Sequence, residues 1–263
     1  ATPEEVLAIT INNGRLIVVG PRFFSWSEPS NGLSFAPTLG GGGFQVIGDK
    51  VPGNPIAVSD YVRGCLTWTA GGVMRSEFTG DAAVYRHRAI HTDFRPVNSF
   101  CSIRVDDDSV IILDERGLFR SQGETPEPYA PVFNEFLANY IQEHDLTTGN
   151  NLRLEWDSRR RLLYVSVSHS YASDLYEKAF VYYPPLDKWG IFNEEHYGIL
   201  PILVTDSLRA DDYFGFIDSA GRVRYWDDVG SREKPAQDSV SKRSSNLYRP
   251  ATPRTVQFSD TDL

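Results

Sequence analysis

Cysteine is nearly absent from this 263-residue chain. Cys65 and Cys101 fall in strand-like runs and match no metal-ligand spacing, so they read as two buried, reduced thiols instead of a staple. No apolar run approaches the ~18 residues of a membrane helix, and the polar opening Ala1-Thr2-Pro3-Glu4-Glu5 lacks the basic and apolar regions of a signal peptide. Positive charge is also in deficit: 26 Lys and Arg face 35 Asp and Glu, a formal net charge of −9. That excludes a surface built to hold nucleic acid by its phosphates, and it suits a wall along which DNA slides without sticking. The expectation is a chain with no membrane association and no specific nucleic-acid binding.

What the chain has is apolar and aromatic matter, at 41% and 13%, ample for a core. It also has a repeat. Gly117-Leu118-Phe119-Arg120-Ser121 recurs as Gly72-Val73-Met74-Arg75-Ser76 and as Gly221-Arg222-Val223-Arg224-Tyr225, spaced 45 and then 104 residues apart. The longer gap is close to two units and holds a diverged copy, Leu162 to Val167 running into Ala179 to Tyr183. Arg15 to Gly20 followed by Phe23 to Ser27 supplies another, which makes about five units. In each copy an apolar, β-branched run meets a turn and returns, as Ser109 to Leu113 does through Asp114–Gly117 into Leu118 to Arg120. A lone hairpin cannot bury its apolar face. Four-stranded units of about 45 residues stacked radially can, so the expected fold is an all-β propeller of five to six four-stranded blades, with one short helix and an extended C-terminal arm.

Taken in order, residues 1–36 give a first unit around the hairpin signal Asn12-Asn13-Gly14. Gly40 to Gly43 lacks the Gly-Lys-Ser/Thr of a phosphate loop and reads as a flexible inter-blade loop. Residues 55–90 and 97–141 form the second and third units. The latter ends in Tyr129 to Ile141, where Val132, Phe133, Phe136, Leu137 and Tyr140 stand at helical spacing. Residues 151–193 and 197–229 supply the fourth and fifth. The propeller thus covers 1–230, and the polar stretch 231–263, with its late run Thr255 to Phe258, reads as an extended arm or a strand closing the ring against the first unit.

Candidate chemistry is sparse. His87, His91, His144, His169 and His196 are scattered, and Arg86-His87-Arg88 suits a solvated strand end better than a metal site. Asp106-Asp107-Asp108 has the oxygen ligands calcium takes, as do Asp211-Asp212 and Asp227-Asp228, yet the triplet sits where a hairpin turn is expected. Glu28 to Phe35 matches the Asp-box turn of sialidase propellers only at Gly32, Ser34 and Phe35, and Arg75, Arg120 and Arg224 fall at equivalent positions on separate blades instead of converging on a carboxylate. Neither a Gly-x-Ser-x-Gly elbow nor a His-Glu-x-x-His motif occurs. The reading is therefore a non-enzyme with no catalytic, cofactor-binding or metal residues and no cofactor.

The order of features resembles the β-propeller of tail nozzle proteins of short-tailed bacteriophages, also called tail tubular B or packaged-DNA stabilisation proteins. The resemblance runs from Gly14 to Gly20 through Phe24-Ser25-Trp26-Ser27-Glu28 and Phe35, the hairpin Thr69 to Ser76, and Ser109 to Ser121 with the following Tyr129 to Ile141 helix. It ends with Arg161 to Val167, Ala179 to Tyr183 and Lys188 to Phe192, covering about residues 8–230. It implies a structural virion protein of the tail, assembled in the host cytoplasm. Such a protein forms a homo-oligomeric, hexameric ring between portal or adaptor and tail fibre or spike proteins, part of a DNA exit channel that retains packaged DNA until ejection. The relatives are longer, so the start at Ala1 is read as truncation or processing. The alternative is a glycan-binding or glycan-cleaving propeller, for which the 5 Trp and 13 Tyr offer stacking surfaces.

Overall fold

In the computed structural model the described residues are 5–29, 31–37, 41–47, 53–80, 84–105, 109–170, 175–206, 209–225 and 257–258; for 91, 201–214, 225 and 257–258 this means the backbone alone. Two compact units divide the chain, Ala1–Trp156 and Asp157–Leu263.

The first unit begins with a meander of four antiparallel strands, β1 (Ala8–Asn12), β2 (Arg15–Val19), β3 (Phe23–Trp26) and β4 (Gly43–Val46). Asn12 pairs with Arg15 across a two-residue loop in which Asn13 (φ 49°) and Gly14 (φ 70°) are both left-handed. Asn-Gly favours that geometry because its twist matches that of the flanking strands. Alternation then sends Ala8, Ile17, Val19, Phe24 and Trp26 to one face, all buried. A second meander follows, β5 (Pro55–Tyr61), β6 (Gly64–Thr69), β7 (Gly72–Phe78) and β8 (Tyr85–His91). Its Val58, Cys65, Met74 and Tyr85 pack on the buried face of the first sheet. Its opposite face offers Leu66, Trp68 and Val73 to Val110, Ile112 and Phe119 of a third sheet. That sheet comprises β9 (Ser102–Arg104), β10 (Val110–Asp114), β11 (Gly117–Ser121) and the two-residue β12 (Glu127–Pro128).

Proline ends β12 early, and helix α1 (Pro131–Glu143) finishes the edge in its place. The Leu118 amide donates to Asn134 Oδ1 at 2.5 Å and Asn134 Nδ2 donates to the Leu118 carbonyl at 3.2 Å, so one side chain substitutes for a strand residue. Proline at the first helical turn suits the fixed φ of its ring. The helix is as expected in place but turned slightly about its axis: Phe133, Leu137 and Ile141 are its buried residues, and Val132 is exposed.

The second unit repeats the plan. Strand β13 (Leu152–Asp157) reaches the unit boundary, and beyond it lies a sheet in which β14 (Leu162–Val167), β15 (Lys178–Tyr183) and β16 (Lys188–Phe192) pair antiparallel. A three-stranded sheet follows, β17 (His196–Asp206), β18 (Arg209–Asp218) and β19 (Val223–Tyr225). Tyr164, Ala179, Val181 and Phe192 of the former sheet and Ile199 and Phe216 of the latter form one buried cluster. Strand β20 (Gln257–Phe258) pairs with Gly190 and Ile191 of β16.

The fold is thus all-β, a succession of antiparallel meanders with one helix, which is the blade plan of a β-propeller. Gly72 and Gly117 open the third strand of their sheets, paired with Thr69 and Asp114, and Gly221 lies in the turn that leads into the third strand of its own, one residue before Arg222 meets Asp218, so the three glycines mark equivalent turns. Two details differ from expectation. Gly41 to Gly43 is not an inter-blade loop but the entry to β4 inside the first sheet. It is held there because the Gly41 carbonyl accepts from Arg15 Nη1 at 2.6 Å and Trp26 Nε1 at 3.2 Å, and because a Cβ on Gly43 would fall 2.7 Å from the Trp26 ring. The partner of Gln257–Phe258 is β16, in the fourth unit and not the first; the rest of the 231–263 segment lies outside the described residues.

Candidate functional site

In the first unit the opening strands of successive meanders are neighbours, β1 beside β5 and β5 beside β9. Together with Arg153 and Leu154 of β13 they line a cleft of about 320 Å³. Its polar wall is Thr10, Ser59, Asp60, Ser102, Arg104 and Arg153, and Phe100 stands at its side, 40% exposed. Sequence spacing alone gives no warning of this grouping, since Asp60 and Arg104 are 44 residues apart. The available signal is register: each residue lies in the first strand of a repeat.

The charges of the cleft are matched within it. Asp60 accepts from Arg104 Nη1 and, at 2.5 Å, from Asn12 Nδ2. Arg153 Nε meets Glu155 at 2.7 Å, and its guanidinium lies over the Phe100 ring at 5.1 Å. Ser59 and Ser102 share a hydroxyl hydrogen bond across β5 and β9. Asn12 is the hub behind this wall. Buried at the end of β1, it also donates to the Gly64 carbonyl at 2.9 Å and the Tyr61 carbonyl at 3.3 Å, and accepts from the Tyr85 hydroxyl at 3.2 Å. The arrangement ties sheets together and presents hydrogen-bonding groups with little net charge.

A second set of carboxylates recurs at hairpin ends. Asp114 accepts the Arg116 amide at 2.9 Å, Asp157 the Arg159 and Arg160 amides at 3.0 and 3.1 Å, and Asp218 the Ala220 and Arg222 amides at 3.0 and 2.9 Å. Each also holds an arginine side chain of its own turn, Arg116, Arg160 or Arg222. Burial of Asp114 raises its pKa, but the Arg116 side chain and the Arg95 and Arg116 amides outweigh it and hold the carboxyl below its ordinary 3.8. For Asp218 burial likewise opposes ionisation, and the Arg222 amide with the Arg224 and Arg222 side chains overcomes it. These are turn staples, the side-chain counterpart of a backbone turn.

The arginines of the repeat, Arg75, Arg120 and Arg224, do not converge. Arg75 pairs with Glu77 at 3.1 Å and Glu124 at 2.8 Å, Arg120 bonds the Ser109 hydroxyl at 2.7 Å, and Arg224 meets Asp218 at 2.7 Å. Among the described residues no group of three or more His, Cys, Asp and Glu is arranged to hold a metal ion. His169 pairs with Glu177 at 2.7 Å, His87 Nδ1 with the Ser76 hydroxyl at 2.8 Å, and His144 caps α1. His196 is wholly buried, its Nδ1 donating to the Glu194 carbonyl at 2.7 Å and its Nε2 therefore accepting from the Ser166 hydroxyl at 2.9 Å. With Ser166 equally buried, the pair braces β14 against β17 and has no access for a substrate. Asp106 to Asp108 and Asp227-Asp228 lie outside the described residues; Asp211 and Asp212 belong to β18. Both cysteines are free and buried, Cys65 within β6 and Cys101 just before β9, and burial pushes both thiols well above their ordinary range, away from nucleophilic reactivity.

No family model and no curated protein matches the chain. Among solved structures it is similar to the extracellular domain of a one-component system from B. thetaiotaomicron, at 12% identity and a TM-score of 0.43 over 82% of this chain and 26% of that one. It is also similar to YCF48 from Cyanidioschyzon merolae, at 11% identity and a TM-score of 0.43 over 85% of this chain and 76% of that one. The chain spans about a quarter of the length of the bacterial domain. Likenesses of this degree carry no functional argument; the fold rests on the strand pairing described above.

Proposed function

We propose that this chain is a structural, non-enzymatic wall element of a short-tailed bacteriophage tail, part of the nozzle through which DNA leaves the particle. The observation that supports this reading best is the self-neutralised cleft on β1, β5, β9 and β13, where Asp60 pairs with Arg104 and Glu155 with Arg153. A conduit must neither bind phosphate nor repel it strongly at close range, and charges satisfied by their neighbours achieve this. The net charge of −9 adds a weak outward field, and several copies around one axis add their fields. The motif order from Gly14 to Phe192 supports the same reading.

One observation favours a glycan-binding propeller as the second reading: the cleft combines hydroxyls and paired charges with the half-exposed Phe100 ring, on which a sugar ring could stack. The two readings separate on titration. As a wall element, the purified chain shows no binding to labelled duplex DNA in the micromolar range at about 150 mM salt, where non-specific DNA-binding proteins begin to bind. An antibody against the chain labels the virion tail. Micromolar DNA binding with a steep salt dependence overturns the passive wall, and saturable binding of neutral oligosaccharides without tail labelling moves the assignment to the second reading.

A further inference from the structure

The first sheet buries one face, and among the described residues the other is left exposed. Register places Ile9 opposite Val18, Val18 opposite Ser25 and Ser25 opposite Phe44 on that open face, with Ile11 opposite Leu16 and Phe23 opposite Val46. Seven of these eight positions are apolar and none is charged. Ile9, Ile11, Phe44 and Val46 are 58%, 66%, 62% and 63% exposed, and the turn whose Gly32 lies against Leu16 holds Leu33 out at 95%. The second sheet, built the same way, covers both of its faces with neighbouring sheets. Among the described residues the strand edge beside the open face is equally unprotected. Outer strand β8 carries Arg86 and Arg88, β12 is Glu127–Pro128 and β16 is covered by β20, whereas β4, Gly-Phe-Gln-Val, has neither charge nor proline to deter pairing.

We propose that this face is the contact between two copies of the chain, packed sheet on sheet about a two-fold axis. A second copy is the occupant that fits on three counts. The face is uncharged, so two chains of net charge −9 meet there without like charges in contact. A two-fold contact is self-complementary by construction, Ile9, Ile11, Phe44 and Val46 meeting their own counterparts. The area also suffices: a standard interface buries about 800 Å² per partner, somewhat over half of it apolar, and five large side chains more than half exposed, with half-buried Leu16, Val18 and Phe23 between them, supply apolar area of that order. The pair closes on itself and is the state of the isolated chain; the inference does not depend on the nozzle reading.

The test is the mass of the full chain in solution by sedimentation equilibrium from about 1 to about 100 µM, read as a mass-action equilibrium. The expected result is twice the chain mass at the upper end. The double variant Phe44→Asp, Val46→Lys raises the dissociation constant by at least about 30-fold, as loss of interface anchors does, and the control Val132→Glu, exposed on α1, leaves it unchanged. Hydrogen exchange of the wild-type chain supplies a readout that needs no variant, since amides 43–46 gain protection as concentration rises. A wild-type monomer at about 100 µM overturns the proposal. So does any oligomer that the double variant leaves intact, or protection of 43–46 independent of concentration, which assigns the cover to the chain itself.

Discussion

Replacing Asn12 by alanine tests whether the wall of the cleft holds the first unit together. The side chain is 4% exposed and spends both amide hydrogens and its carbonyl on other elements: Asp60 at 2.5 Å, the Gly64 carbonyl at 2.9 Å, and the Tyr85 hydroxyl at 3.2 Å. A hydrogen bond to a charged group contributes about 1.5–3 kcal/mol net and a neutral one about 0.5–1.5 kcal/mol. Asp60 keeps Arg104 as a partner and the cleft admits water, which places the loss near the lower end, about 3 kcal/mol in all. For a unit of this size that lowers the melting temperature by roughly 6–12 °C. Urea unfolding followed by tryptophan fluorescence, to which the buried Trp26 and Trp68 contribute, reads it. A double-mutant cycle with Asp60→Ala isolates the Asn12–Asp60 term, for which the coupling expected is about 1–2 kcal/mol. If Asn12→Ala costs less than about 1 kcal/mol and the two changes add without coupling, the hub is not a hub and the reasoning fails.

Acid should act through the turn staples. The folded pKa of Asp114 is depressed, so its contribution is complete above the unfolded value, near 3.8, and is lost as pH falls through the folded one; Asp114→Asn is therefore less stable at neutral pH and has a flatter melting-temperature profile below about pH 4, and identical slopes for the two proteins would refute the assignment. The repeat glycines should differ in cost. Gly117 has φ +109° and its Cβ would lie against Asn134 Oδ1, the group that bonds Leu118, so Gly117→Ala costs more than about 3 kcal/mol, whereas Gly221, at φ +73° with nothing within 4 Å, costs about 1 kcal/mol. Chemical denaturation ranks the pair, and the reverse order contradicts the close-approach argument.

Local chemistry made much of this protein legible in its sequence. Asn13-Gly14 specifies a two-residue hairpin because both residues tolerate positive φ, and the recurring glycines mark equivalent turns for the same reason. Alternation of small sets such as Ile17 and Val19 assigns strand and face without reference to anything distant. Even the departure at Gly41 to Gly43 has a local trace, for only glycine lets that backbone pass the Trp26 ring, although nothing in the run itself names the tryptophan. Tertiary structure alone decided the rest. Asn12, Asp60 and Arg104 are ordinary polar residues until β1, β5 and β9 lie side by side, because a hydrogen bond depends on ångströms and the sequence records only separations of 48 and 44 residues. The helix face shows the same limit. Val132 and Ile141 are equally apolar in sequence, and only the sheet against which α1 packs determines that one is buried and the other left in water.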